Sequence, residues 1–135
     1  MTRINVVPVT ELSDQWLIAE YHELPRVIKQ NIDIKDAPSN YKLGKGHVKW
    51  ARKHALWVLN RFEELRAEMK FRGFKVNYNS LKLIKLPSNV KNGYMVTKED
   101  IILNRERLID RYKPDMTWTE RHKPLYFTFN WLRRF

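Results

Sequence analysis

Threonine stands second in this chain and arginine third: Met1-Thr2-Arg3-Ile4-Asn5. The small side chain behind the initiator makes Met1 an easy target for aminopeptidase removal, so the mature chain is expected to begin at Thr2. The freed α-amine would have an unperturbed pKa of about 7.7–8.0, well below that of a lysine. Such an amine is substantially deprotonated near neutrality and can attack an electrophilic carbon without deep burial. Further along lies Ala19-Glu20-Tyr21-His22-Glu23-Leu24-Pro25-Arg26, a helical run with a carboxylate between basic neighbours. On a helix His22 and Arg26 are neighbours at i, i+4, and Glu23 and Arg26 at i, i+3. Taken by themselves these residues make a solvated charged face with modest ion pairs.

The combination resembles a known family. Met1-Thr2-Arg3-Ile4-Asn5, Glu11-Leu12, Asp14-Gln15, Leu17, Ala19-Glu20-Tyr21 and Glu23-Leu24-Pro25-Arg26 are similar to the pyrimidine-dimer DNA glycosylases of the phage endonuclease V type. The similarity continues through Leu43-Gly44-Lys45-Gly46-His47-Val48, Arg72-Gly73-Phe74, Arg107-Leu108 and Thr117-Trp118, and thins beyond residue 74. The resemblance implies a bifunctional glycosylase and abasic-site lyase. The Thr2 amine would attack the sugar C1′ of the damaged nucleotide and displace the base, and the resulting imine would let β-elimination cut the strand on the 3′ side. Glu23 would hold the amine, stabilise the cationic intermediate and help move protons. Arg3, His22 and Arg26 would neutralise phosphates around the lesion. Arg107 and Arg111 match a basic pair of the family, and Gln15 belongs with the DNA contacts. In such enzymes the duplex is kinked and a base opposite the lesion is ejected. His22 and Trp16 stand where a known member carries Arg and His, which bears on lesion preference and pH dependence. Two other readings remain open: the same chemistry on a different pyrimidine lesion, and a non-catalytic DNA-binding protein on this scaffold.

Composition agrees with a DNA partner. Lys and Arg number 26 against 15 acids, a net charge of +11, the electrostatic footprint of a polyanion binder. Membrane-surface proteins concentrate such charge in a tail or one amphipathic helix, whereas here it spreads from Arg3 to Arg134. Damaged double-stranded DNA is therefore the expected partner of a monomeric chain. There is no membrane-spanning run, no apolar signal block and no small-molecule cofactor. With no Cys, disulfides and thiolate metal sites are excluded, which suits a reducing cytoplasm. No metal is expected either. His47 and His54 are seven apart without a third ligand at a metal-like spacing, and read as solvated or capping residues.

Those residues need elements to position them. At 135 residues the chain suits one domain burying about two-thirds of its unfolded surface. Residues 2–12 read as an extended arm because Val6-Val7-Pro8-Val9 resists helix formation. Ser13 reads as the N-cap of a first helix reaching about Gln30 through a kink at Pro25, with Leu12 and Leu17 as a hydrophobic staple. Gly44 and Gly46 open a second helix whose apolar stripe runs from Val48 to Met69, closed by Gly73 as C′. Trp50 and Trp57 form a second stripe for packing, with base stacking as the lesser reading. Lys45, Lys49, Arg52 and Lys53 make a basic strip, equally a solvated face or a DNA contact. Residues 75–96 are loop-rich, with an unresolved short element at Leu81–Leu86. Thr97 and Asp100 form a capping box for a third helix that Lys113-Pro114 stops. The aromatic tail alternates like a strand without an obvious partner. The expected fold is all-α, a single compact domain of three main helices with an extended N-terminal arm and an irregular aromatic C-terminal tail.

Overall fold

Ser13 ends the N-terminal arm and begins the first helix. Its Oγ accepts the Trp16 amide at 3.1 Å, satisfying one of the four donors that a helix start leaves orphaned. In the computed structural model, which describes residues 4–28, 34–77 and 86–132 with side chains as far as Thr128, helix α1 spans Asp14–Val27. Leu12 and Leu17 flank its start and are fully buried, as a staple requires. Pro25 sits within α1, which ends at Val27 with Ile28 extended rather than near Gln30. Residues 81–85, where a short element was anticipated, lie outside the described residues.

The long second helix of the sequence pattern is two helices, α2 (His47–Lys53) and α3 (Ala55–Phe71). Gly46 opens α2 at φ +91°, where an added Cβ would meet Pro38 Cγ at 3.0 Å. The break falls at His54, with φ −113° and ψ 50°. Side chains and the Asn92 backbone carbonyl satisfy the groups it disconnects. His54 Nδ1 lies 2.7 Å from the Trp50 carbonyl, and Asn92 donates to the Lys53 carbonyl at 2.8 Å while accepting the Trp57 amide at 3.3 Å. The apolar period runs across the junction because both helices face the same core, so hydrophobicity alone gives no sign of it. Gly73, at φ +85°, ends α3: Phe74 N–H reaches the Met69 carbonyl and Gly73 N–H the Lys70 carbonyl, a Schellman closure.

Helix α4 (Lys98–Arg111) starts with the anticipated capping box of Thr97 and Asp100. The C-terminal segment departs from expectation, since Leu125–Leu132 form a helix, α5. No strand occurs among the described residues, so an extended tail there would have no ladder to join, whereas a helix pairs its own backbone groups. Phe127 of α5 is fully buried, with its ring 5.5 Å from those of Trp16 and Trp118. The all-α class holds, with two more helices among the described residues than the pattern showed. Trp50 is core: it is fully buried among the rings of Tyr41, His54, Trp57 and Tyr94. His47 and His54 are also buried rather than solvated, held by the aromatic and backbone groups around them.

A buried polar hub ties the ends of the chain together. Asp14 accepts from Arg72, from the Thr117 hydroxyl, and from the amide and hydroxyl of Thr119. Glu68 accepts from Arg72 at 2.8 Å and from Arg121 at 2.8 and 2.9 Å. Desolvation pushes both carboxyls up, but these donors outweigh it and hold them below their ordinary values of 3.8 and 4.5. A depressed carboxylate contributes stability that is present above its unfolded pKa and lost as pH falls through its folded one. The urea midpoint is therefore expected to fall as pH drops below about 4.5, and Asp14→Asn should blunt that fall. An equally steep fall in Asp14→Asn would show that the hub does not carry the acid sensitivity.

Candidate active site

Residues 4–7 are buried and belong to no helix, and no strand occurs among the described residues, so side chains must satisfy their backbone groups. The Ile4 amide donates to His47 Nε2 at 2.9 Å. The Asn5 amide donates to Glu20 Oε1 at 3.3 Å, and its side-chain Nδ2 reaches the same oxygen at 2.8 Å. Asn104 Oδ1 accepts both the Val6 and Val7 amides, at 2.7 and 3.1 Å, while its Nδ2 donates to Asn5 Oδ1. Two carbonyls are held in the same way: Tyr41 Oη donates to Ile4 and Arg61 donates to Val7. Helices α1, α2, α3 and α4 thus each contribute at least one group to the arm.

Several of these groups are charged or titratable. Arg61 and Glu20 form a buried ion pair at 2.8 Å, with side-chain exposures of 3% and 1%. Removing one partner of such a pair typically costs about 3–5 kcal/mol because the other is left charged and buried. Tyr94 accepts the Tyr41 amide and donates to Asp100 at 2.6 Å. Burial, reinforced by that carboxylate, pushes its hydroxyl up to about 12. Burial first, then the charge of Glu20, also raises the Tyr41 hydroxyl. Burial lowers His47, and Arg107 adds to the effect.

Beside the anchored arm lies a cleft of about 170 Å3 lined by Asn5, Trp16, Ala19, Glu20, Glu23, Arg107, Leu108 and Arg111. One wall is α1 and the other α4. Glu20 is engaged by Arg61 and Asn5, and Glu23 is half-buried on the α1 wall. Arg107 and Arg111, one turn apart, bring guanidinium charge to the α4 wall. They also line a shallower depression of about 420 Å3 with Leu43, Leu103, Glu106 and Asp110. Chemically, this is a carboxylate facing two guanidinium cations. That combination can stabilise a developing positive charge on one side and hold phosphate on the other.

Of the residues singled out from the sequence, the fold brings Glu23, Arg107 and Arg111 into this one cleft. At about 100° per residue, Gln15, Ala19, His22, Glu23 and Arg26 share roughly a third of the α1 circumference. Gln15, His22 and Arg26 are exposed on that face and lie outside the cleft lining. Gln15 exchanges two hydrogen bonds with Thr117, at 3.3 and 3.2 Å, so its amide braces the loop after α4. Thr2 and Arg3 lie outside the described residues. On the basic strip, Lys45 is exposed, while Lys49, Arg52 and Lys53 donate to Lys35, Val27 and Ser39 respectively. Among the described residues no group of three or more His, Asp or Glu could hold a metal, and no helix is long and apolar enough to cross a membrane.

A family model described as pyrimidine dimer DNA glycosylase matches residues 1–81, the stretch that carries the arm, α1, α2 and α3. The chain belongs to that family. The glycosylase therefore has DNA as its substrate, in agreement with its net charge of +11. The α4 wall of the cleft lies beyond the matched stretch and is supplied by the same chain.

Sequence reasoning missed Asn5, Glu20, His47, Arg61 and Asn104 as the residues that hold the arm. A signal was present. Glu20 falls between Leu17 and Leu24 on the apolar face of α1, and Arg61 beside Val58, Phe62 and Leu65 on that of α3. A charged residue on an apolar stripe must have a buried partner, although sequence does not say which. The glycosylase should lose affinity for DNA steeply as salt rises. Arg107→Ala and Arg26→Ala should each reduce the slope of log K against log salt by about one contact's worth. Slopes unchanged in both variants would place the DNA on another face.

Proposed function

We propose that this glycosylase excises cyclobutane pyrimidine dimers and then cleaves the abasic site by β-elimination, with the α-amine of Thr2 as nucleophile. The observation that carries the reading is the anchored arm: Asn5 lines the same cleft as Glu23, Arg107 and Arg111, and Thr2 is three residues before it in the chain. With Met1 removed, the amine nitrogen bonds to C1′ as the N-glycosidic bond breaks, and the leaving base takes up a proton. Ring opening gives a protonated imine, which acidifies C2′–H. Loss of that proton breaks the C3′–O bond and releases the 3′ strand. No metal or cofactor enters this sequence.

Glu23 would accept a hydrogen bond from the amine, offset the iminium charge and relay protons. Arg3, His22, Arg26, Arg107 and Arg111 would engage phosphates flanking the lesion, with Gln15 at the edge of the footprint. The half-buried position of Glu23 opposite two guanidiniums supports this division of roles. Cations near an amine also favour its neutral, nucleophilic form.

Glu23→Gln is expected to bind dimer-containing duplex at least as well as the parent, because it removes a negative charge from a phosphate-binding face. Strand cleavage should be abolished. Binding lost in parallel with cleavage would remove Glu23 from the chemistry.

The nucleophile is tested by borohydride trapping on a dimer-containing duplex. Mature chain should give a covalent adduct, whereas Met1-retaining or N-acetylated chain should give none while still binding DNA. Thr2→Ser should remain active because the hydroxyl is not the attacking group. Adduct of normal yield from acetylated chain would point to a lysine and end the Thr2 reading.

A further inference from the structure

Among the described residues, the first backbone amide of the arm is held by a histidine whose imidazole is kept below its ordinary pKa by burial. The Ile4 amide can only donate and the Lys42 carbonyl can only accept. His47 lies between them, with Nε2 2.9 Å from the Ile4 nitrogen and Nδ1 2.8 Å from the Lys42 oxygen. This fixes a single tautomer, with the proton on Nδ1 and the lone pair on Nε2. A second proton on Nε2 would set donor against donor. Ile4 is 1% exposed and His47 4%, so water is poorly placed to substitute for the lost acceptor.

The surroundings do not offset an imidazolium. From α1, the charge of Glu20 favours a proton on His47 but is shared with Arg61 of α3, its ion-pair partner. From α4, Arg107 repels a proton on the ring. The other close groups are the rings of Tyr41 and Trp50, at 5.7 and 6.3 Å, and the Tyr41 hydroxyl is committed to the Ile4 carbonyl. Protonated His47 is therefore relieved most directly by letting Ile4 go. Cα atoms two residues apart lie within about 7.6 Å of each other, so the anchor at Ile4 bounds how far Thr2 can stray from it.

We propose that His47 is a positioning residue: its neutral ring holds the N-terminal arm in register with the cleft, and protonation of Nε2 releases the arm and turns imine formation off. This rests on the reading of the Thr2 amine as nucleophile. The acid limb of imine formation then has two protons behind it, one on the amine itself and one on His47.

The test uses full-length, Met1-free protein in single-turnover borohydride trapping on a duplex with one abasic site, from about pH 5 to pH 8.5. The variants are His47→Gln, whose amide oxygen can accept the Ile4 N–H without titrating, and His47→Leu, which offers no acceptor. In the parent, the log rate should approach a slope of two on the acid side. In His47→Gln the slope should approach one, with a rate at pH 8 within about threefold of the parent. His47→Leu should trap at least about tenfold more slowly at pH 8, in keeping with loss of one buried hydrogen bond. Its binding to a non-cleavable abasic analogue should stay within about threefold. A slope of two retained in His47→Gln would overturn the proposal, and so would parental trapping by His47→Leu. Should His47→Leu fail to fold by circular dichroism, the His47→Gln slope decides alone. Adduct from N-acetylated parent chain would instead overturn the Thr2 reading, an outcome distinct from any result with the His47 variants.

Discussion

A non-helical segment buried among helices has no strand among the described residues to pair with. Each polar backbone group left unsatisfied there would cost about 1–3 kcal/mol, and residues 4–7 carry several. The fold answers with His47, Glu20 and Asn104 accepting the four amides, and Tyr41 and Arg61 donating to two of the carbonyls. Those five side chains come from α1, α2, α3, α4 and the loop before α2. Their convergence fixes the relative placement of the helices as much as it fixes the arm. Apolar packing alone would tolerate sliding of one helix past another, whereas a polar network satisfied in only one arrangement does not.

The hub around Asp14 does the same for the other end of the chain. Arg72 at the end of α3 bridges Asp14 and Glu68, and its NH2 also reaches the carbonyls of Val9 and Thr10. Thr117, Thr119 and Arg121 bring in the loop after α4. Glu11, in the short turn before α1, is clamped by Arg105 of α4 and Tyr126 of α5. The polypeptide before α1 is thus gripped along its length, from Ile4 to Glu11. Such a grip opposes the disorder that chain termini otherwise show.

Two groups of basic residues stand apart by position. Arg61, Arg72, Arg105 and Arg121 are joined to carboxylates in the interior or at its edge. These build the scaffold. Arg107 and Arg111 line the cleft, while His22 and Arg26 stand on the exposed face of α1 that shares a wall with it. A long-range field draws in DNA regardless of sequence, and the second group lies at or beside the cleft. Arginine suits both roles because its planar fork pairs with carboxylate and phosphate alike.

Local patterns settled much of the protein without tertiary information. Ser13 and the Thr97–Asp100 box mark helix starts by side chains that reach only three residues along the chain, and Gly73 marks a helix end by its own positive φ. The all-α class, the basic partner surface and the family followed from residues whose meaning is carried by type and spacing. The break at His54 and the helix at Leu125–Leu132 were not legible. The first depends on Asn92 arriving from a distant loop, and the second on a pocket formed by Trp16, Tyr112 and Trp118. The candidate site divides in the same way. Glu23, Arg107 and Arg111 could be named from the sequence, but their meeting in one cleft could not, because α1 and α4 are separated by most of the chain. Nor could the sequence show that a histidine, a glutamate and an asparagine spread over 85 positions share the task of holding four consecutive amides. That sharing exists only once the arm is threaded between the helices, where burial makes each of those hydrogen bonds obligatory.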